Sequence, residues 1–177
     1  MAVAMNAILD VAYGDNTAVT ACVAFKGWTD SRPSAVHTWP MDGIADYVPG
    51  RFFKRELPCL LAALDRMDTS FDVLVIDGFV HLKPPRIKGL GAYLAESIRY
   101  PAAVIGVAKS PLAIADRYLP VLRGRSRRPL LVSAINLPVQ RAADRIAGMY
   151  GDHRLPLLIK MADQAAREGL AAMPDGA

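Results

Sequence analysis

The order of the apolar segments constrains the fold of this 177-residue chain more than any other feature of its sequence. Three strand-like segments come first, at about residues 4–13, 17–25 and 35–39, with polar turn residues between them. Helical and strand-like segments then alternate through the rest of the chain. This order predicts an α/β fold with helices packed on both faces of a mixed sheet, whose first three strands are antiparallel.

The later segments are recognised by their periodicity. Apolar residues recur at helical spacing within residues 52–67, although Pro58 suggests that this helix begins near Glu56. Residues 71–76 and 102–108 are nearly continuous apolar runs, which is typical of buried central strands. The remaining elements are expected to be a strand at residues 130–134 and helices at residues 90–98, 139–149 and 157–168.

The composition fits one folded domain, residues 1–177, in a reducing compartment. Apolar residues make up 53% of the chain, enough for a full core, and only residues 171–177 resemble a loose tail. Cys22 and Cys59 lie in apolar segments and are expected to be buried and reduced. Since no apolar run is long enough to cross a bilayer, we expect a cytoplasmic protein without a membrane span, and a monomer.

The charge balance permits a polyanionic partner without requiring one. The formal net charge is +4 and the pI is about 9.2. Basic residues gather in three segments that could contact phosphates if the partner is a nucleic acid. These residues are Arg51, Lys54 and Arg55, then Lys83, Arg86 and Lys88, and finally Arg123, Arg125, Arg127 and Arg128.

Three carboxylates stand where an acidic side chain is unfavourable. Asp10 interrupts an apolar strand, Asp77 ends another, and Glu56 lies beside the buried start of a helix. A buried carboxylate is destabilising unless a partner or a metal compensates its charge. Each acid alone has an ordinary explanation, since an Asp at a strand end commonly caps a loop. If the strands are neighbours, however, the three acids meet at one end of the sheet, where their oxygens suit Mg²⁺ or Mn²⁺.

Several segments resemble the endonuclease V family over about residues 8–167. ILDVAYGD at residues 8–15, YVPGRFFKRELPCLLAALD at 47–65 and VLVIDG at 73–78 resemble the motifs that carry its metal-site acids. PAAVIGVAKSPL at residues 101–112 resembles a strand that ends in a functional lysine. The later strand and the last helix of the family resemble RPLLVSA at residues 128–134 and HRLPLLIKMAD at residues 153–163.

The resemblance implies a ribonuclease H-like fold and metal-dependent hydrolysis of a phosphodiester on the 3′ side of a deaminated adenine. The substrate would be deoxyinosine in DNA or inosine in RNA. It implies that Asp10, Glu56 and Asp77 bind Mg²⁺ (or Mn²⁺), and that Lys109 neutralises phosphate charge or orients the water. The nucleic acid would be contacted by a wedge that replaces lost stacking, formed by Tyr47, Val48, Pro49 and Gly50, and by Arg55 and Arg86.

This chain departs from the family pattern in the loop after the third acid. The family carries a His-Pro-Arg motif there, whereas this chain has Pro84 at the histidine position, and His81 could replace it only if the loop is rebuilt. Ile135-Asn136 stands in place of a Gly-His pair, and Lys160 replaces an arginine. Asp163 on the last helix either adds an acid near the metal or is an ordinary surface acid.

Three functions stay open at this point. The intact acids and Lys109 favour an inosine-directed endonuclease. The altered loop at residues 79–88 favours a nuclease of the same fold with another target, such as a different damaged base or structured RNA. The loss of the family histidine and arginine would also fit a nucleic-acid-binding module without catalytic activity.

Overall fold

The structure, a computed structural model, describes residues 5–46, 52–84 and 87–174. Within those ranges the strands are β1 (Asn6–Tyr13), β2 (Thr17–Phe25), β3 (Ala35–Asp42), β4 (Val73–Asp77), β5 (His81–Leu82), β6 (Ala103–Ala108), β7 (Ala115–Asp116), β8 (Tyr118–Val121) and β9 (Leu130–Ile135). The helices are α1 (Phe53–Asp65), α2 (Leu90–Ser97), α3 (Val139–Gly148) and α4 (Leu157–Ala171).

A seven-stranded mixed sheet in the order β3-β2-β1-β4-β6-β9-β8 organises these elements. The first three strands pair antiparallel, as predicted. β1, β4 and β6 run parallel, whereas β9 is antiparallel to both β6 and β8. Because the three parallel strands all end on the same side, Tyr13, Asp77 and Ala108 lie at one border of the sheet, which we call the carboxyl edge.

Helices cover both faces of the sheet, which confirms the predicted architecture. Ile8, Val75 and Ile105 point to the face on which α3 and α4 pack. The alternate residues Leu9 and Ile76 point to the opposite face, which is covered by α1 and α2. This alternation follows from the two-residue period of a strand. It also determines the face of the sheet to which each side chain at the carboxyl edge points.

The start of α1 differs from the prediction. The helix begins at Phe53 and not near Glu56, so Pro58 is its sixth residue. Proline lacks an N–H and leaves the carbonyl four residues earlier without its helical partner. That carbonyl belongs to Lys54, which is exposed, as is Pro58 itself, so water can satisfy it and the helix continues. At the other end of the chain, α4 extends through Ala171, the first residue of the predicted tail.

Three short strands were not predicted from the sequence. β5 and β7 pair with each other outside the main sheet. β8 is an edge strand of the main sheet and pairs with β9. Pro120 lies within β8, and proline is tolerated in strands mainly at such borders, where no partner needs its N–H. Because β8 has only four residues and one of them is a proline, its sequence lacks the periodic pattern that would predict a strand.

The two thiols are buried and free, which confirms their prediction. Within the described residues, no helix combines the length and the apolar character that a membrane span requires.

Candidate functional site

Asp10 and Asp77 lie side by side at the carboxyl edge. Parallel pairing of β1 with β4 aligns Leu9 with Ile76, so the next residue of each strand is an aspartate. Both aspartates fall on the α3/α4 face, where they line one small cleft together with Lys109. The predicted neighbourhood of these two acids is therefore present, and it follows from strand register alone.

Lys109 forms an ion pair with Asp77. Its Nζ donates a hydrogen bond to Oδ2 of Asp77 over 3.0 Å. Burial lowers the pKa of Lys109, but the charge of Asp77, their hydrogen bond and the charges of Asp10 and Asp163 outweigh it, so the pKa lies above its usual value. Lys109 is thus a fixed ammonium within a group of acids.

Asp10 is the more enclosed of the two aspartates. Burial, followed by the negative charge of Asp77, raises the pKa of Asp10 to about 6. The nearby ammonium of Lys109 and a 2.9 Å hydrogen bond from the backbone N–H of Val11 to Oδ1 act in the opposite direction. A carboxylate whose charge is opposed in this way is stabilised by any cation that binds beside it.

Glu56 approaches the same edge from the opposite face of the sheet. It lies on α1 and is only 3% exposed. Burial raises its pKa well above the usual value, and the charges of Asp10 and Asp77 raise it further. The charges of the two aspartates therefore reach Glu56, although Glu56 lies on the α1/α2 face of the sheet and the aspartates point to the opposite face.

A shared metal position stays a prediction. Within residues 5–46, 52–84 and 87–174, no three His, Cys, Asp or Glu side chains are close enough to hold one ion together. The structure therefore brings the predicted acids to one edge, with the ammonium of Lys109 beside Asp77, but it does not arrange them as a closed ligand set.

Tyr13 is a site residue that the sequence reasoning missed. Its Oη donates a hydrogen bond to Oε2 of Glu56 over 3.4 Å. The guanidinium of Arg55 lies over its ring, with Cζ 4.0 Å from the ring centroid. Tyr13 ends β1 three residues after Asp10, so its position in the ILDVAYGD motif was the signal that could have identified it.

Arg154 is a second residue that was missed. Its Nε donates to the carbonyl of Arg128 and one terminal nitrogen donates to that of Pro129, each over 3.0 Å. The same terminal nitrogen donates to the carbonyl of Lys109. Arg154 therefore ties the end of β6 to the start of β9. All three acceptors are backbone carbonyls, so no residue type in the sequence signals these contacts.

Two glycines fix the backbone just beyond Asp77. Gly78 has a φ of +123°, in a region that other residues rarely adopt. A Cβ on Gly106 would lie 2.5 Å from the Gly78 carbonyl oxygen and 2.8 Å from Oγ of Ser133. The chain after Asp77 thus passes directly over β6, and only glycine at residue 106 leaves room for it.

His81 and Asp163 lie in different surroundings. Nε2 of His81 is 3.2 Å from the carbonyl oxygen of Ala134 on β9, two strands away from β4. Oδ1 of Asp163 accepts a hydrogen bond from Arg167 over 3.1 Å, yet its charge also acts on Asp10 and Lys109. Asp163 is thus close to the candidate site, whereas His81 contacts another strand.

The predicted wedge, Tyr47, Val48, Pro49 and Gly50, lies outside the described residues, and so does Arg86. Of the residues predicted to contact the nucleic acid, Arg55 is described; it lies on α1 and stacks on Tyr13.

Comparison with known proteins supports the assignment that this geometry suggests. A family model described as Endonuclease V matches residues 2–130. The chain belongs to the endonuclease V family. The matched range includes Asp10, Glu56, Asp77 and Lys109, but it ends before α3 and α4.

Curated relatives carry the same name over part of their length. Endonuclease V of Streptomyces coelicolor is 35% identical over 104 residues, which cover 58% of this chain and 43% of the relative. Endonuclease V of Desulfurococcus amylolyticus is 38% identical over 66 residues, which cover 37% of this chain and 29% of the relative. The matched segments thus span less than half of the length of these relatives.

Solved structures match nearly the whole chain. Endonuclease V of Streptomyces avermitilis superposes with a TM-score of 0.76 at 26% identity, covering 96% of this chain and 82% of that one. Endonuclease V of Ciona intestinalis, in complex with a DNA that contains an inosine followed by a ribo-adenosine, gives a TM-score of 0.77 at 20% identity and covers 96% and 87% of the two chains. These matches confirm the ribonuclease H-like fold.

Proposed function

We propose that this chain is a divalent-metal-dependent endonuclease that hydrolyses the phosphodiester backbone on the 3′ side of a deaminated adenine. The observation that carries the proposal is the ion pair of Asp77 with Lys109 beside Asp10 at the carboxyl edge of an endonuclease V fold, with the charges of both aspartates acting on Glu56. The inosine-containing DNA bound by the Ciona intestinalis relative supports inosine as the substrate base.

The chemistry of the acids fits a hard divalent cation. All three donors are carboxylate oxygens, which Mg²⁺ and Mn²⁺ prefer. The pKa of Asp10 and that of Glu56 are both raised by burial and by neighbouring negative charge, so the ionised cluster is held at a free-energy cost. A bound cation would remove this cost, and Asp10, Glu56 and Asp77 are the residues that would hold it. We also infer that Asp163, whose charge acts on Asp10, adds to the negative field of the site.

The protein residues have separable tasks in this proposal. When bound, the metal would activate a water for in-line attack and offset charge on the leaving oxygen. Lys109 keeps an ammonium at the end of β6, where it attracts the phosphate to the side of Asp77 and balances the carboxylates between turnovers. Tyr13 holds the carboxylate of Glu56, and Gly78 with Gly106 fixes the end of β4.

We assign contact with the nucleic acid to the predicted wedge and its flanking arginines. In the sequence, two residues separate Gly50 from the start of α1, the helix that carries Glu56, so we propose that a base displaced by Tyr47, Val48, Pro49 and Gly50 would be near the acids. Arg55 and Arg86 would contact the backbone. The buried free thiols fit a reducing compartment, and we therefore propose the cytoplasm as the location.

A nuclease with another target is the second candidate, and the position of His81 favours it. The family histidine of this loop is replaced, and His81 is hydrogen-bonded to β9 and not to a residue of the acid cluster. Lesion choice can therefore differ while the acids and Lys109 are kept.

Cleavage of defined oligonucleotides tests the proposal. Duplexes and single strands of DNA and RNA, each with one inosine or with adenine at the same position, are incubated with the protein and Mg²⁺ or Mn²⁺. We expect cleavage on the 3′ side of inosine, lost in Asp77→Asn and kept in Asp68→Asn, an exposed acid at the other end of the sheet. Cleavage of another lesion alone would support the second candidate. No metal-dependent cleavage of any substrate, or cleavage unaffected by Asp77→Asn, would refute both.

A further inference from the structure

We propose that residues 122–129, the loop that joins β8 to β9, form a rigid basic arm that holds the phosphate backbone of the nucleic acid beside Lys109. The inference deepens the proposed function, because it names a binding surface for the same polyanionic substrate. It depends on the position of the loop, on the way the loop is fastened and on the charges that it exposes.

Strand register places the basic arm next to the candidate site. β8 and β9 pair from Val121 opposite Leu130, so the arm is the turn of this hairpin. β9 in turn pairs with β6, with Leu131 opposite Ala108. Lys109, the next residue after Ala108, therefore lies beside the point where the arm enters β9. The arm extends the carboxyl edge away from Asp77 on the Lys109 side.

Two arginines fasten the arm at both of its ends. At the β9 end, Arg154 donates to the carbonyls of Arg128, Pro129 and Lys109, so arm and site share one anchor. At the β8 end, Arg123 is only 6% exposed and donates to the carbonyls of His153 at 2.8 Å and Gly151 at 2.9 Å. A guanidinium buried among carbonyls is expensive to desolvate. These contacts hold the β8 end of the arm against the connection between α3 and α4.

The remaining arginines of the arm are free to bind an anion. Arg125, Arg127 and Arg128 are exposed, and within the described part of the chain none of the three forms an ion pair. The backbone beneath them is held by Ser126, whose Oγ accepts from the N–H of Arg128 and donates to its carbonyl. Three unpaired guanidinium groups on a fixed turn match a run of phosphates, which arginine binds with two parallel hydrogen bonds.

The chain offers a matched control at the opposite edge of the sheet. Arg32 lies in the connection from β2 to β3, Arg66 follows α1, and Arg99 lies between α2 and β6. All three are exposed, and all are near the starts of the parallel strands, far from Lys109. Replacing either set by alanine removes the same charge from the protein. A difference between the two variants therefore reports position and not net charge.

The test measures how salt weakens binding to a short fluorescent DNA duplex of ordinary bases, in EDTA, by anisotropy over a series of KCl concentrations. The logarithm of the association constant falls linearly with the logarithm of the salt concentration, and each lost phosphate contact makes this slope less steep by about 0.9. We expect R125A/R127A/R128A to reduce it by about 2 or more, and R32A/R66A/R99A to change it by less than about 0.5.

Equal slopes for the two variants, or a larger change in the control, would overturn the proposal. Circular dichroism and thermal unfolding check that both variants fold, which the exposed positions of all six side chains favour. Since the assay needs neither metal nor inosine, it can fail while inosine cleavage succeeds, and cleavage can fail while the slopes differ as expected. The two proposals are therefore refuted separately.

Discussion

The ammonium of Lys109 lies 3.0 Å from Oδ2 of Asp77, and the two residues stand at the ends of neighbouring parallel strands. The pairing is thus a consequence of sheet register, and it places one fixed positive charge among several acids. Any divalent cation bound by these carboxylates acts on the same oxygens as Lys109. We therefore expect metal binding and turnover to respond in opposite ways to the loss of this lysine.

Lys109→Ala should abolish most of the cleavage while strengthening metal binding. The competing ammonium beside Asp77 is gone, so Mn²⁺ binding should tighten, whereas the phosphate loses its partner. Loss of one such electrostatic contact typically reduces kcat by about 100-fold or more. Cleavage rates and Mn²⁺ titrations of the same preparation measure the two effects. Lys26→Ala, an exposed lysine just after β2, is the control and should change neither.

Stability of the metal-free protein should fall as the pH rises from about 4 to about 6. The pKa of Asp10 in the folded protein is about 6, above the ordinary value of 3.8. In that interval the folded chain binds more protons than the unfolded chain, so each increase in pH favours unfolding. The contribution is fully lost above the folded-state pKa. Urea unfolding in EDTA at several pH values measures it.

Asp10→Asn isolates this effect. The amide carries no charge, so the variant should be more stable than the parent above pH 7, by a free energy of unfolding on the order of 1–3 kcal/mol. The free energy of unfolding should then fall less steeply with rising pH. The fall that remains comes from Glu56, whose pKa is also raised. An unchanged pH profile in Asp10→Asn would contradict the burial of this carboxylate, and Asp68→Asn should leave the profile as it is.

Tyr13→Phe should weaken metal binding more than it weakens the fold. The variant loses the Oη that donates to Glu56 but keeps the ring on which Arg55 stacks. One long hydrogen bond contributes about 1 kcal/mol or less to stability. Loss of an outer partner of a ligating carboxylate typically reduces metal affinity by about 10-fold or more. Equal Mn²⁺ affinities of Tyr13→Phe and the parent would show that Tyr13 does not position Glu56.

Gly106→Ala should destabilise the protein and reduce cleavage together. The added Cβ would meet the Gly78 carbonyl at 2.5 Å, so the backbone beyond Asp77 must shift. Overpacking of this kind costs about 1–3 kcal/mol. Gly148→Ala is the matched control, because its Cβ would meet nothing within 4 Å at the end of α3. There the substitution should stabilise by up to about 1 kcal/mol through helix propensity. Thermal unfolding measures the stability of both variants. A Gly106→Ala variant more stable than Gly148→Ala would contradict the close contact of Gly106 with Gly78.

The parts of the fold that follow from periodicity could be predicted from the sequence. The apolar runs of β1, β4 and β6 and the β-branched and small residues of β2 indicate strands, and Asp10 and Asp77 stand out because they interrupt or end such runs. Their adjacency needs only parallel pairing of the two strands. The helical faces of α1 and α4 are equally visible in the spacing of their apolar residues.

The parts that depend on tertiary contacts could not be predicted. β8 contains Pro120, and in the sequence alone a proline in an edge strand cannot be distinguished from a proline in a loop. Arg154 binds carbonyls, which every residue possesses, so its contacts have no sequence signal. The sequence predicts too late a start for α1 because proline is typical of a first helical turn, whereas exposure of the Lys54 carbonyl lets the helix begin at Phe53.

The metal site is tested by Mn²⁺ binding to the wild-type protein and to Asp10→Asn, Glu56→Gln and Asp77→Asn, followed by the electron paramagnetic resonance signal of free Mn²⁺. We expect the wild type to bind Mn²⁺ and each variant to bind it at least about 10-fold more weakly, while Asp68→Asn binds as the wild type does. Wild-type protein that takes up no Mn²⁺, or uptake that all three substitutions leave unchanged, would contradict a metal site built from these carboxylates.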